Sequence, residues 1–232
     1  MGYIIHEVFH FLVGASLAYI LVVKDIGRIG KRTLILFFGG ITAISPDITK
    51  LFGDILGHSI WLVTVFGLVF ALVFHFLQKD VSFFKSWGIF SLIVLVGHIF
   101  IDYIGNGVAF LYPITHKEYS LSIITRTDEF VLYTLLFVVL IGLFYRKGKM
   151  IILTGMIIIS LYLCGLTVSK FHLENTLKTQ YEGEDINLLL SFRSRNFLEW
   201  NFMVRTDKVW VSGYSPILNQ EIHIESEREV DE

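Results

Sequence analysis

Apolar positions in this chain do not alternate with polar ones at the period of a half-buried strand or helix; they come in unbroken blocks. Blocks at residues 3–23, 33–52, 60–77, 87–104, 130–145 and 150–169 approach the roughly 20 residues that cross a hydrocarbon core of about 30 Å. They predict an all-α polytopic membrane protein with six transmembrane helices. From about residue 170 the pattern shifts to short β-favouring runs at 186–192, 197–205, 209–214 and 221–225, with Thr206-Asp207-Lys208 as a turn between the middle two. Two domains are therefore expected, a transmembrane domain at 1–169 and a small antiparallel β domain at 170–232, with an acidic, frayed tail at 225–232.

Charge placement orients the blocks. No Lys or Arg precedes the first one, so it reads as a retained helix and not as a cleaved leader. Lys24, Arg28, Lys31, Arg32, Lys79, Lys85, Arg146, Lys147 and Lys149 fall in loops on one side, against Lys50, Lys117 and Arg126 on the other. The richer side is expected to be cytoplasmic. The N-terminus and the C-terminal domain would then be extracytoplasmic, in a bacterial or archaeal cytoplasmic membrane.

Composition agrees and removes other classes. A chain that is 54% hydrophobic and 17% charged, with mean hydropathy +0.65, is too apolar for a soluble globule. Its 19 Lys+Arg against 21 Asp+Glu include no basic run to neutralise phosphates, so no nucleic-acid substrate is expected. Cys164 is the single cysteine, which excludes an intrachain disulfide and a thiolate metal cluster.

Ionisable residues inside apolar blocks are costly and are functional candidates by default. His6 and His10 lie in the outer turns of the first block, Asp47 follows Pro46 near the outer end of the second, Asp54 and His58 lie in the next connection, and His98 and Asp102 lie in the outer part of the fourth. His75 falls at the other end of its block and reads as a packing residue. His6/His10 and His98/Asp102 are each four apart, so each pair shares one helical face. Imidazole and carboxylate together suit zinc or a similar divalent ion, and His10, Asp47, His58, His98 and Asp102 are the expected ligands. Asp47, His58 and Asp102 are the expected catalytic residues among them. A buried hydrogen-bonded His/Asp couple is the plainer alternative.

Two further signals compete with or extend this site. His6-Glu7-Val8-Phe9-His10 is a literal H-E-x-x-H, in which the histidines bind zinc and the glutamate acts as base. That pattern makes an intramembrane zinc protease the rival, with Asp47 as third ligand. Segment 105–129 is long and glycine-bearing, and is expected to be a loop or re-entrant segment lining the site. Asp128 and Glu129 close it, either beside a ligating histidine or, as preferred, as acids at a helix N-terminus.

The order His10-Phe-Leu-Val-Gly14, Ser45-Pro46-Asp47-Ile48, Gly57-His58-Ser59, His98-x-x-x-Asp102 and Leu111-Tyr112-Pro113 resembles the YdjM-type inner-membrane metal-dependent hydrolases, some of them labelled LexA-binding. Asn196-Phe-Leu-Glu-Trp200 and Val209-Trp-Val-Ser-Gly-Tyr214-Ser215 are similar to a C-terminal segment found in one branch of that family. The resemblance implies a divalent-metal site with hydrolase activity, and a distant similarity to zinc-dependent phospholipase C and the S1/P1 nucleases. By that analogy Asp47, His58, His98 and Asp102 form one site, and Asp102 bridges to a second ion near His10 and His6. The family's substrate is generally unassigned; because the site lies near interfacial depth, where lipids can enter laterally, a lipid or lipid-linked phosphoester is the expected substrate, membrane lipids are the expected partners, and any protein partner is unknown. The chain departs from the pattern in carrying Thr49 where a second aspartate is usual, and in keeping only His58 and Ser59 of a longer H-R-G-x-T-H-S loop. A non-catalytic metal- or proton-binding membrane protein is the remaining alternative.

Overall fold

The structure, a computed structural model, describes residues 2–22, 29–53, 55–125, 128–194, 196, 198–219 and 221–230. Lys24, Arg28, Asp54 and Arg126 lie outside the described residues, as does Phe197. The chain forms two compact units, Met1–Leu121 with Arg126–Ile159, and Ser122–Thr125 with Ser160–Glu232.

In the first unit, helices α1 (Gly2–Val22), α2 (Ile29–Ile44), α3 (Val63–Leu77), α4 (Phe83–Val94), α5 (Ile101–Ile104) and α6 (Glu129–Phe144) are followed by the start of α7 (Gly148–Gln180). A π-helical turn, Leu95–Phe100, joins α4 to α5. Segments Tyr3–Val22, Ile60–Leu77, Phe83–Ile104 and Gly148–Gln180 are long and apolar enough to cross a membrane, and Glu129–Phe144 is a shorter apolar helix. Their outward faces remain apolar: Val65, Val69, Leu72, Val73 and Phe76 on α3, and Phe137, Leu140 and Phe144 on α6, are exposed. Such contiguous apolar surface suits lipid and not water.

Small residues set the closest helix contact. A Cβ on Gly14 would stand 2.4 Å from the Gly39 carbonyl oxygen, and one on Gly39 would stand 2.3 Å from the Ala18 Cβ, so α1 and α2 approach at backbone distance, as small residues allow in membranes. Phe38, Phe74 and Phe90 then pack edge to face at 5.4 and 5.2 Å between α2, α3 and α4.

The second block departs from its expected span of 33–52. α2 stops at Ile44 and continues as a 3-10 stretch, Ser45–Phe52. Pro46 is the cause: it has no N–H for the Thr42 carbonyl, and Ser45 Oγ donates to that carbonyl instead, at 2.8 Å.

The basic turns gather at one end of this unit. Lys31 Nζ reaches Asp80 Oδ2 at 2.8 Å, and its ammonium holds the Asp80 carboxyl below the ordinary carboxylate range. Arg32, buried, donates to the carbonyls of Leu143 and Tyr145 at 3.2 and 2.9 Å, where the end of α6 leaves acceptors unpaired.

In the second unit, strands β1 (Leu188–Arg193), β2 (Glu199–Arg205), β3 (Val209–Pro216) and β4 (His223–Glu229) form one antiparallel sheet in sequence order. Trp200, Phe202, Val204 and Val211 are buried on one face. The break expected between residues 169 and 170 falls inside α7, which continues to Gln180. Its continuation is helical because Leu166, Ser169, Lys170, Leu173 and Leu177, all buried, recur at helical spacing. The acidic tail is also more ordered than expected: Glu227 and Glu229 pair with Val211 and Val209.

Candidate metal centre

The first unit brings six of the expected residues together. His6, His10, Asp47, His58, His98 and Asp102 are all buried, and they fall into two possible ligand trios, His6/His10/Asp102 and Asp47/His58/His98.

Local structure accounts for each position. On α1 the i,i+4 spacing stacks His6 over His10, with Nε2 atoms 3.1 Å apart. His10 Nδ1 lies 2.8 Å from the Gly97 carbonyl oxygen, which can only accept. Nδ1 therefore carries the proton and Nε2 presents a lone pair. Gly97 belongs to the π-helical turn, where a Cβ would already touch Ala43 and Gly14; such turns recur at functional sites. The same turn carries His98, whose Nε2 stands 3.5 Å from Asp102 Oδ2 one turn on.

Asp47 is placed by the Pro46 break, in the first turn of the 3-10 stretch. His58 is brought to it by Gly57, because a Cβ there would lie 2.1 Å from the Pro46 carbonyl oxygen. Gly57 N–H donates to Thr49 Oγ1 at 3.0 Å. Thr49, which replaces the familiar aspartate, thus ties the two connections together. The resulting contacts are His58 Nε2 to Asp47 Oδ1 at 3.0 Å, His98 Nε2 to Asp47 Oδ1 at 3.8 Å and His98 Nε2 to His58 Nε2 at 3.1 Å.

Asp102 faces both trios. Its Oδ1 is 3.3 and 3.2 Å from Nε2 of His6 and His10, and its Oδ2 is 3.5 Å from Nε2 of both His58 and His98.

These residues fit divalent ions. Zinc bonds of about 2.1 Å to nitrogen and oxygen give tetrahedral edges of roughly 3.4 Å, within the range of the contacts just given. Two imidazole nitrogens facing each other at 3.1 Å can share one proton at most, and His58 Nδ1 and His98 Nδ1 are buried without a hydrogen-bond partner. A lone-pair-rich, oxygen and nitrogen donor set of this kind suits zinc, manganese or iron.

The remaining candidates stand apart or play other parts. Glu7 is part buried, and Asp47, the third ligand a protease would use, lies in the other trio from His6 and His10. Asp128 caps α6, accepting from the Val131 N–H at 3.1 Å, and Glu129 is exposed in the first turn. His75 packs its ring 6.1 Å from that of Phe83.

A cavity of about 220 Å³ opens beside the cluster, lined by His6, His58 and Asp102 together with Lys50, Asn106 and Glu118. Residues 106–109 and Glu118 supply its far wall as irregular chain, with one isolated bridge, Val108 to Tyr119, and Gly107 N–H donating to the Asp102 carbonyl at 2.8 Å. Sequence reasoning missed Lys50 and Glu118 as site residues. Lys50, three residues after Asp47 and 2.5 Å from its Oδ1, was legible from spacing; Glu118, 16 residues beyond Asp102, carried no such signal.

Apolar helices enclosing a buried cluster of four histidines and two aspartates define a membrane protein with a candidate metal centre. The chain belongs to the YdjM inner membrane protein family, whose model matches residues 5–173. That match takes in all six clustered residues and ends before the sheet. Comparison with curated proteins and with solved structures finds no match.

Proposed function

We propose that this chain is a membrane-bound metal-dependent hydrolase that cleaves a phosphoester, lipid or lipid-linked, at the extracytoplasmic leaflet. The position of Asp102 carries the proposal, since one oxygen addresses each ligand trio. One or two divalent ions, zinc first, would be held by His6, His10, Asp47, His58, His98 and Asp102. Bound there, they would supply Lewis acidity toward phosphoryl oxygens and acidify a water.

The chain's own groups do the rest. The Gly97 carbonyl fixes the His10 tautomer, so the ring meets its ligand without reorienting. Lys50, at the rim of the cavity, places positive charge where phosphoryl oxygens gain negative charge. Asp47, His58 and Asp102 surround the place where the ester oxygen would sit.

Six spans with both termini outside is the topology proposed with this function. Supporting it, Lys31 and Arg32 tie the turns after α3 and α6 to the start of α2, which sets the basic end opposite the cluster. The protease alternative loses support because Asp102, not Asp47, completes the His6/His10 trio.

Purified protein should hydrolyse phosphoesters in mixed lipid-detergent micelles. Asp102→Ala should lower that rate about a thousandfold, and Glu7→Gln less than tenfold. The opposite ranking, together with cleavage of a transmembrane peptide, would assign the site to proteolysis.

A further inference from the structure

The cavity beside the candidate metal centre carries two side chains of opposite charge outside the ligand trios, Lys50, which is ion-paired with Asp47, and Glu118. Lys50 stands on the Asp47 side, and Glu118 on the side of Gly107, where its Oε2 lies 3.8 Å from the position a Gly107 Cβ would take. Gly107 in turn is held to Asp102 through its N–H. The two charges therefore flank the same floor of His6, His58 and Asp102.

Glu118 is exposed and has no ion pair among the described residues. Its neighbour Lys117 turns away, with its ammonium 5.3 Å from the Tyr119 ring centroid. At about 220 Å³ the cavity is smaller than the roughly 300–1,000 Å³ typical of drug-sized ligand sites. It suits a small polar headgroup and not an acyl chain. A carboxylate facing a small cavity whose other wall attracts phosphate is complementary to a molecule with a phosphate at one end and a cation at the other.

We propose that this cavity selects an aminoalkyl phosphate, its phosphoryl group toward Lys50 and the metal ligands and its ammonium against Glu118. The proposal deepens the phosphoester function and rests on it. It assigns Glu118 to specificity: the carboxylate holds the ammonium and takes no part at the phosphorus.

Binding separates this from turnover. Phosphoethanolamine and n-propyl phosphate have the same heavy-atom skeleton, with an ammonium replacing a methyl. Titrated calorimetrically into zinc-loaded protein in neutral detergent, phosphoethanolamine should bind about three- to fivefold more tightly, as a partly exposed charge pair allows. Glu118→Gln should erase that ratio, and Glu118→Lys should invert it, both with unchanged zinc content. Equal binding in the wild type, or a ratio that survives in both variants, overturns the assignment while leaving the phosphoester function standing. Binding of neither phosphate by zinc-replete protein overturns both. Competition by nanodisc phosphatidylethanolamine, and not by phosphatidylglycerol, would identify a lipid as the source of the headgroup; competition only by the soluble compound would identify a free phosphate ester.

Discussion

In the second unit Lys170 is buried beside Glu174, with Nζ 3.1 Å from Oε1, and it donates to both the carbonyl and the hydroxyl of Ser191. Ser191 Oγ in turn donates to Glu174 Oε1 at 2.6 Å, and Lys170 and Arg193 lie over the Trp200 ring at 5.7 and 5.4 Å. Here Lys170, Ser191 and Glu174 meet as donors and acceptors, and the charges of Lys170 and Glu174 cancel. In the first unit His58 and His98, equally buried, face each other through Nε2 at 3.1 Å beside two carboxylates, so at most one of the two nitrogens can donate to the other, and both Nδ1 atoms are buried without a hydrogen-bond partner. A buried polar group is costly unless its hydrogen bonds are made. The difference between the two clusters therefore distinguishes polarity that holds a fold from polarity that could hold a cation.

Breaking the self-satisfied cluster should have the largest effect on stability. Lys170→Met leaves the part-buried Glu174 without its ammonium, which should cost about 3 kcal/mol, seen as a lower unfolding midpoint of the second unit with metal content unchanged. A loss of metal in that variant would join two clusters that the account treats as independent.

Gly57→Ala attacks the other cluster through backbone. The new Cβ collides with the Pro46 carbonyl, so the His58 loop must shift at a cost of about 1–3 kcal/mol, and metal affinity should fall with it. Wild-type affinity in this variant would show that the Gly57 contact does not place His58.

Asp128→Ala should have the smallest effect, about 1 kcal/mol from the lost α6 cap, with metal content unchanged. Metal loss there would return Asp128 to the site.

The same contrast shows what the sequence makes legible. The candidate ligands were readable because His and Asp are expensive in apolar blocks and because His6/His10 and His98/Asp102 sit one turn apart. The four strands were readable from β-favouring runs set off by turn residues around Thr206-Asp207-Lys208. The end of α2 was hidden, because block hydrophobicity continues past Ile44 and only the Thr42 carbonyl, left unpaired by Pro46, marks the break. The continuation of α7 was hidden too: Lys170 and Glu174 look like the start of a solvated segment until Ser191, 21 residues on, supplies their partner. Glu118 was invisible for a similar reason, since only the fold of residues 105–119 brings it to the cavity.

Metal content decides whether the buried His/Asp cluster holds an ion. Mass spectrometry of detergent-purified wild type, His98→Ala and Asp102→Ala, each checked for equal folding, should find one or two equivalents of zinc, manganese or iron in the wild type and a loss in both variants. Asp102→Ala should lose at least as much as His98→Ala, because Asp102 faces both trios. A wild type that stays metal-free after reconstitution with these ions would contradict the account and make the His/Asp cluster a structural one, like that around Lys170.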